Sequence, residues 1–100
     1  MPKIFEYFGL IFFFYSNEHE PIHVHVLYGE TQSVFDLIME DGILKSIIIR
    51  NTKGYAGLSK KNAKIAETFI RAYALDIVQK WVDYFVMKKK VECTEITKRI

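Results

Sequence analysis

The spacing of hydrophobic residues changes near residue 51, and that switch restricts the chain to a sheet built first and helices laid on it afterwards. Before the switch, Ile22, Val24, Val26 and Tyr28 alternate with His23, His25 and Leu27, the period of a strand. After it, Ile65, Phe69, Tyr73, Ile77, Trp81 and Phe85 fall four apart, flanked by Ala66, Ile70, Ala74, Val78 and Val82. That is a broad apolar helical stripe. Gly9–Tyr15 is aromatic and apolar throughout, so it reads as a strand covered on both faces. Thr31–Met39 sets Phe35, Leu37 and Met39 against Val34, Asp36 and Ile38, and Ile43–Arg50 follows with Ile47, Ile48 and Ile49 in a row.

Short connections join these strands. Gly29-Glu30 is a tight turn, and Asp41-Gly42 suits the positive φ values of a two-residue hairpin. Pro21 keeps Glu20 extended and marks a loop before Ile22. Hairpin-length links imply antiparallel neighbours, and the sheet needs a cover on its core face. The expected fold is therefore α+β: a four-stranded antiparallel meander packed on two C-terminal helices. The sheet is expected over 4–50 and the helices over 59–89, within one domain of residues 1–90. Ser59 is a suitable N-cap. An unbroken helix along the stripe would overhang so small a sheet, so a break near Tyr73–Leu75 is preferred to one long rod. Residues 91–100 are a polar C-terminal tail, either loose or forming a short edge element.

Composition removes whole classes. At 100 residues and 50% hydrophobic, the chain is one domain with a dense core and is not disordered throughout. Its single cysteine, Cys93, cannot close an internal disulfide and lies in the tail without a neighbouring histidine. The apolar run Phe8–Tyr15 is too short to span a bilayer as a helix, and no small-residue cleavage site follows it. A cytoplasmic protein with no membrane contact is expected. The net charge of +2 divides unevenly, because eleven of the fourteen basic residues lie after residue 50. That polarity suits either a solvated helical surface or the steering of an anionic partner.

The stretch Glu18-His19-Glu20-Pro21-Ile22-His23-Val24-His25-Val26, then Tyr28-Gly29, carries the most chemistry. With the opening Pro2-x-Ile4, with Phe8-Gly9-x-Ile11, and with Lys60-Lys61 and Trp81 further on, it resembles a family of short bacterial proteins, domain of unknown function 4160. The resemblance spans about residues 2–85. It implies a strand-rich half followed by two helices. It implies no established activity, and a place in toxin–antitoxin-like or regulatory gene pairs.

His23 and His25 are two apart on a strand and share a face, so their imidazoles can converge on one ion. His19 could turn back as a third ligand, with Glu18 or Glu20 as a carboxylate. Such a set would take a divalent metal, zinc or iron, with an open position. Two other readings stand beside it. In these the histidines orient the Pro21 loop by hydrogen bonds, or line a partner surface. Asp36 could orient an imidazole if the strand register allows. Lys60 and Lys61 oppose the dipole at a helix start, and Lys64 extends the same side. They are a candidate anion site, and nucleic-acid binding through the basic half is a further reading. Phe12, Phe14 and Leu27 are candidate interface residues, because two helices cover one face of a sheet whose first strand is apolar on both. A homodimer, or a protein partner from the same operon, would meet that surface.

The function expected is a small non-enzymatic binding or regulatory module, of toxin–antitoxin type, using the His-rich loop and strand. The alternative is a metal-dependent hydrolase or nuclease centred on His19, His23 and His25.

Overall fold

A computed structural model describes residues 2–15 and 22–100. The elements, in order, are β1 (Lys3–Tyr7), β2 (Leu10–Phe13), β3 (His23–Tyr28), β4 (Thr31–Glu40) and β5 (Ile43–Asn51). Helices α1 (Lys60–Ala72) and α2 (Ala74–Trp81) follow, then a π-helical turn (Val82–Val86) and β6 (Thr94–Ile96). One mixed sheet of six strands runs β5-β4-β3-β2-β1-β6, antiparallel except that β6 lies parallel to β1.

The α+β class and the two covering helices agree with the sequence; the four-stranded antiparallel sheet is corrected to a mixed six-stranded one. Two features account for the difference. Lys3–Tyr7 folds back on Leu10–Phe13 through Phe8 and Gly9, with φ of 45° and 88°. Positive φ at both turn residues is the hairpin geometry that Asn-Gly and Asp-Gly usually supply. Phe8 adopts it at a steric cost, with its ring between Tyr7 (4.9 Å between centroids) and the Arg99 guanidinium (4.0 Å). The second feature is the expected polar tail: Thr94–Ile96 comes back as an edge strand opposite Phe5, Glu6 and Tyr7. Lys80 fastens it, donating to the carbonyls of Ile4 and Glu92 (both 2.8 Å) and to Thr94 Oγ1 (3.0 Å).

The other hairpins follow their turn chemistry. Asp41 and Gly42 both have positive φ, and Glu40 faces Ile43 across the turn. Gly29 supplies positive φ for the β3–β4 link. A bulge interrupts the β4–β5 ladder after Ile38, where Met39 pairs with Leu44 and Lys45 is left over.

Helix α1 begins where Ser59 Oγ accepts from the Asn62 N–H at 3.1 Å. The helical segment breaks at Tyr73, inside the expected 73–75 window. Regular α-helix stops at Trp81, earlier than the expected 89, and the π turn carries the chain to Val86. The apolar stripe packs on one face of the sheet. Phe69 is fully buried among Phe5, Tyr7, Phe12 and Tyr73, at centroid distances of 5.4, 4.8, 4.6 and 4.6 Å. Phe14 meets Phe85 at 5.6 Å, and Trp81 packs on Phe85 at 5.0 Å. Val24, Val26, Phe35 and Leu37 complete the core from β3 and β4.

Phe12 and Phe14, expected at an interface, are thus wholly inside this core. The parity of β2 explains the correction: Phe12 is opposite Phe5 on one side and Val26 on the other, all turned to the helices. The alternate residues, Ile11 and Phe13, share the opposite face with Leu27, which is half-buried.

Candidate functional site

That opposite face holds the histidines. The period of two puts His23 and His25 on it together, with ring centroids 5.6 Å apart, and both are buried. His25 lies in an aromatic setting. It stacks on Phe13 at 5.3 Å and meets the edge of Tyr15 at 4.2 Å. Phe13 is its direct cross-strand neighbour on β2. Across on β4, the amide of Gln32 sits 3.4 Å from His25 Nδ1 and donates to Tyr15 Oη (3.2 Å) and Thr52 Oγ1 (3.5 Å). Gln32 is 2% exposed, so such an amide is retained there only with its hydrogen bonds in place.

The register places Asp36 directly opposite His23, as an Asp–His pairing would require. Both carboxylate oxygens of Asp36, however, accept from Arg50: Nε to Oδ2 and Nη2 to Oδ1, each at 2.8 Å. Arg50 belongs to β5, diagonal to Asp36 because Asp36 faces Ile48. The carboxylate is the inner member of the pair, its side chain 10% exposed, and the guanidinium the outer one, at 51%. A planar two-point contact of this kind fixes the carboxylate in orientation as well as neutralising it. The face therefore carries a half-exposed guanidinium and a partly exposed phenol beside two buried imidazoles, Phe13 and Val34.

Of the expected metal ligands, His23 and His25 come together on this face, while His19 lies outside the described residues, as do Glu18 and Glu20. Among the described residues, no group of three or more His, Cys, Asp or Glu is placed to hold a metal ion. Tyr15, Gln32 and Arg50 were not anticipated. Their signal was parity: each lies an even number of residues from a histidine-face position on its own strand or just beyond it. Only the pairing of β4 with β5 makes that visible for Arg50.

The three lysines expected at an anion site do not share one cavity. Lys60, Lys61 and Lys64 are all exposed on the first turns of α1. Lys64 lines a cavity of about 300 Å³ with Tyr7, Thr68 and Arg99. Lys61 lines a smaller one, about 170 Å³, with Phe8, Tyr28 and again Arg99. Lys60 lines neither of these two. Arg99, from the last residues of the chain, is the cation that sequence reading missed. It reaches α1 because β6 returns the tail to the sheet. Cys93 is exposed and free. Among the described residues, no helix is long and apolar enough to cross a membrane.

A model of the family described as Domain of unknown function (DUF4160) matches residues 9–82. No curated protein and no solved structure matches the chain.

Proposed function

The chain belongs to the DUF4160 family, and from that premise we propose that it is a small non-enzymatic binding module, the regulatory or antitoxin-like member of a gene pair. Its recognition surface is the histidine face, and its partner a protein. The observation that carries this reading is the bidentate Arg50–Asp36 pair beside His23. A carboxylate held this way is not a free base or metal ligand, whereas a half-exposed arginine fixed at the edge of an aromatic floor is a typical anchor for a protein partner. Tyr15, partly exposed against the buried His25, supplies the amphipathic ring that such contacts favour. Lys61, Lys64 and Arg99 lie on the helical side and would steer an acidic partner without being part of the recognition face.

Two measurements test the reading. Isothermal titration with the protein encoded beside it should give saturable binding that Tyr15→Ala and Arg50→Gln weaken. Absent binding, or binding untouched by both substitutions, overturns the proposal. Protein purified without chelator should carry substoichiometric metal by mass spectrometry. One zinc or iron per chain, lost in both His23→Ala and His25→Ala, would instead establish the metal-dependent hydrolase or nuclease at His19, His23 and His25.

A further inference from the structure

The sheet ends are unlike each other. One is β6, three residues long; the other is β5, nine residues long and rich in isoleucine. Ile48 and Ile49 are 50% and 43% exposed, on opposite faces of that strand. Long apolar edges are ordinarily shortened, charged or covered, because their outward N–H and C=O groups template further pairing.

The hydrogen-bond phase of β4 shows which groups of β5 point outward. The Leu37 N–H donates to the Ile22 carbonyl, so odd residues here address β3. The Gln32 N–H donates to the Ala56 carbonyl, so even residues address the β5 side. In an antiparallel ladder, bonded and non-bonded pairs alternate. The pairs Asp36–Ile48 and Val34–Arg50 are then the bonded ones, and Ile47 and Ile49 turn their N–H and C=O away from the sheet. Among the described residues no strand lies beyond them. Among the described residues, the following loop meets β4 through the Ala56 carbonyl, which accepts from the Gln32 N–H, and the Leu58 N–H, which donates to Ser33 Oγ at 3.0 Å, both at the Asn51 end of β5.

We propose that β5 pairs antiparallel with β5 of a second copy, about a two-fold axis at Ile48 normal to the sheet, to give one continuous twelve-stranded sheet. In this register Ile47 opposes Ile49 of the second copy, and the outward backbone groups of both are satisfied, about four hydrogen bonds in all. Ile48 opposes its own symmetry mate in a non-bonded pair, where side chains approach most closely. Arg50 opposes Ser46, and Lys45 opposes Asn51, so no like charges face each other. Shifting the axis by one residue either way breaks the isoleucine match: centred on Ile47, Ile48 faces Ser46; centred on Ile49, Ile48 faces Arg50. The bulge at Lys45 limits the paired length. The two-fold consumes both long edges and leaves only the short β6 strands at the ends, which closes the assembly at two. This interface is the sheet edge and not the partner-binding face proposed above, although Ile48 and Arg50 of β5 border both.

The test uses the full chain with Cys93→Ser, so that the exposed native thiol does not interfere. Sedimentation equilibrium should find a dimer, and Ile48→Lys should raise its dissociation constant about tenfold or more by opposing like charges. Circular dichroism should show that variant still folded, since Ile48 is half exposed. Cysteine cross-linking reads the register. Ile48→Cys places its own mates about 4.5 Å apart at Cα and should oxidise to a covalent dimer. Ser46→Cys mates would lie four residues out of register, about 13 Å apart, and should stay monomeric. A monomer at all concentrations, a dimer indifferent to Ile48→Lys, or equal cross-linking at both positions overturns the proposal.

Discussion

Replacing Phe69 with alanine tests whether the helices hold this sheet as described. The ring is fully buried at the meeting point of β1, β2 and α1, within 4.6–5.4 Å of four other aromatic rings. Truncating a buried phenylalanine costs about 3–5 kcal/mol through lost transfer free energy and the cavity left behind. Four aromatic partners place this site at the upper end, since such pairs add to simple area burial. A loss of about 4 kcal/mol is a large share of the roughly 5–15 kcal/mol expected for a domain of this size. It corresponds to a fall in Tm of about 15–30 °C. Urea unfolding followed through Trp81 fluorescence measures it, because that indole packs on Phe85 in the same core. Phe69→Leu, which refills part of the volume, should lose clearly less. A loss below about 1 kcal/mol for Phe69→Ala would mean that α1 does not cover β1 and β2, and the packing argument would fail.

Two further outcomes follow from polar contacts. Burial lowers the Lys80 pKa from 10.5, against the raising influence of Cys93, Asp76 and Glu92. The unfolded chain therefore binds this proton more tightly than the folded one. Stability relative to Lys80→Met should be flat below the lowered pKa and climb as pH rises toward 10.5; a falling or level difference across that alkaline window in urea titrations would refute the assignment. At the other face, a double-mutant cycle with Asp36→Ala and Arg50→Ala should give a coupling of about 1–2 kcal/mol, below a fully buried pair because the guanidinium is half in water. Additive losses would show that the bidentate contact is not maintained in solution.

The candidate site was legible in part. Alternation alone assigned His23 and His25 to one face and turned Val24 and Val26 to the other, because strand parity is a local property of the backbone. The same parity assigned Asp36 to the histidine face, but its partner depended on register. Nothing within β4 announces Arg50, fourteen residues away, until the Asp41-Gly42 hairpin and the bulge at Lys45 set which residues of β5 lie alongside. Phe12 and Phe14 illustrate the converse. A strand apolar at every position gives no parity signal, so which half of it met the helices was undecided until β1 and β3 flanked it.

By itself, then, the sequence determined the strand-then-helix order of residues 10–81, the Gly29 and Asp41-Gly42 turns and the Ser59 cap. All of these are written within a few neighbouring residues and need only backbone sterics, local hydrogen bonds and hydrophobic period. The tertiary structure alone decided strands β1 and β6. The β1–β2 turn uses Phe8 against its steric preference, and the ring contacts with Tyr7 and Arg99 that accompany it come from packing. Strand β6 is three residues of weak pattern, held in parallel pairing to the other end of the chain and by the ammonium of Lys80. Contacts between distant segments form only once the intervening chain has collapsed, so no local window of residues could record them.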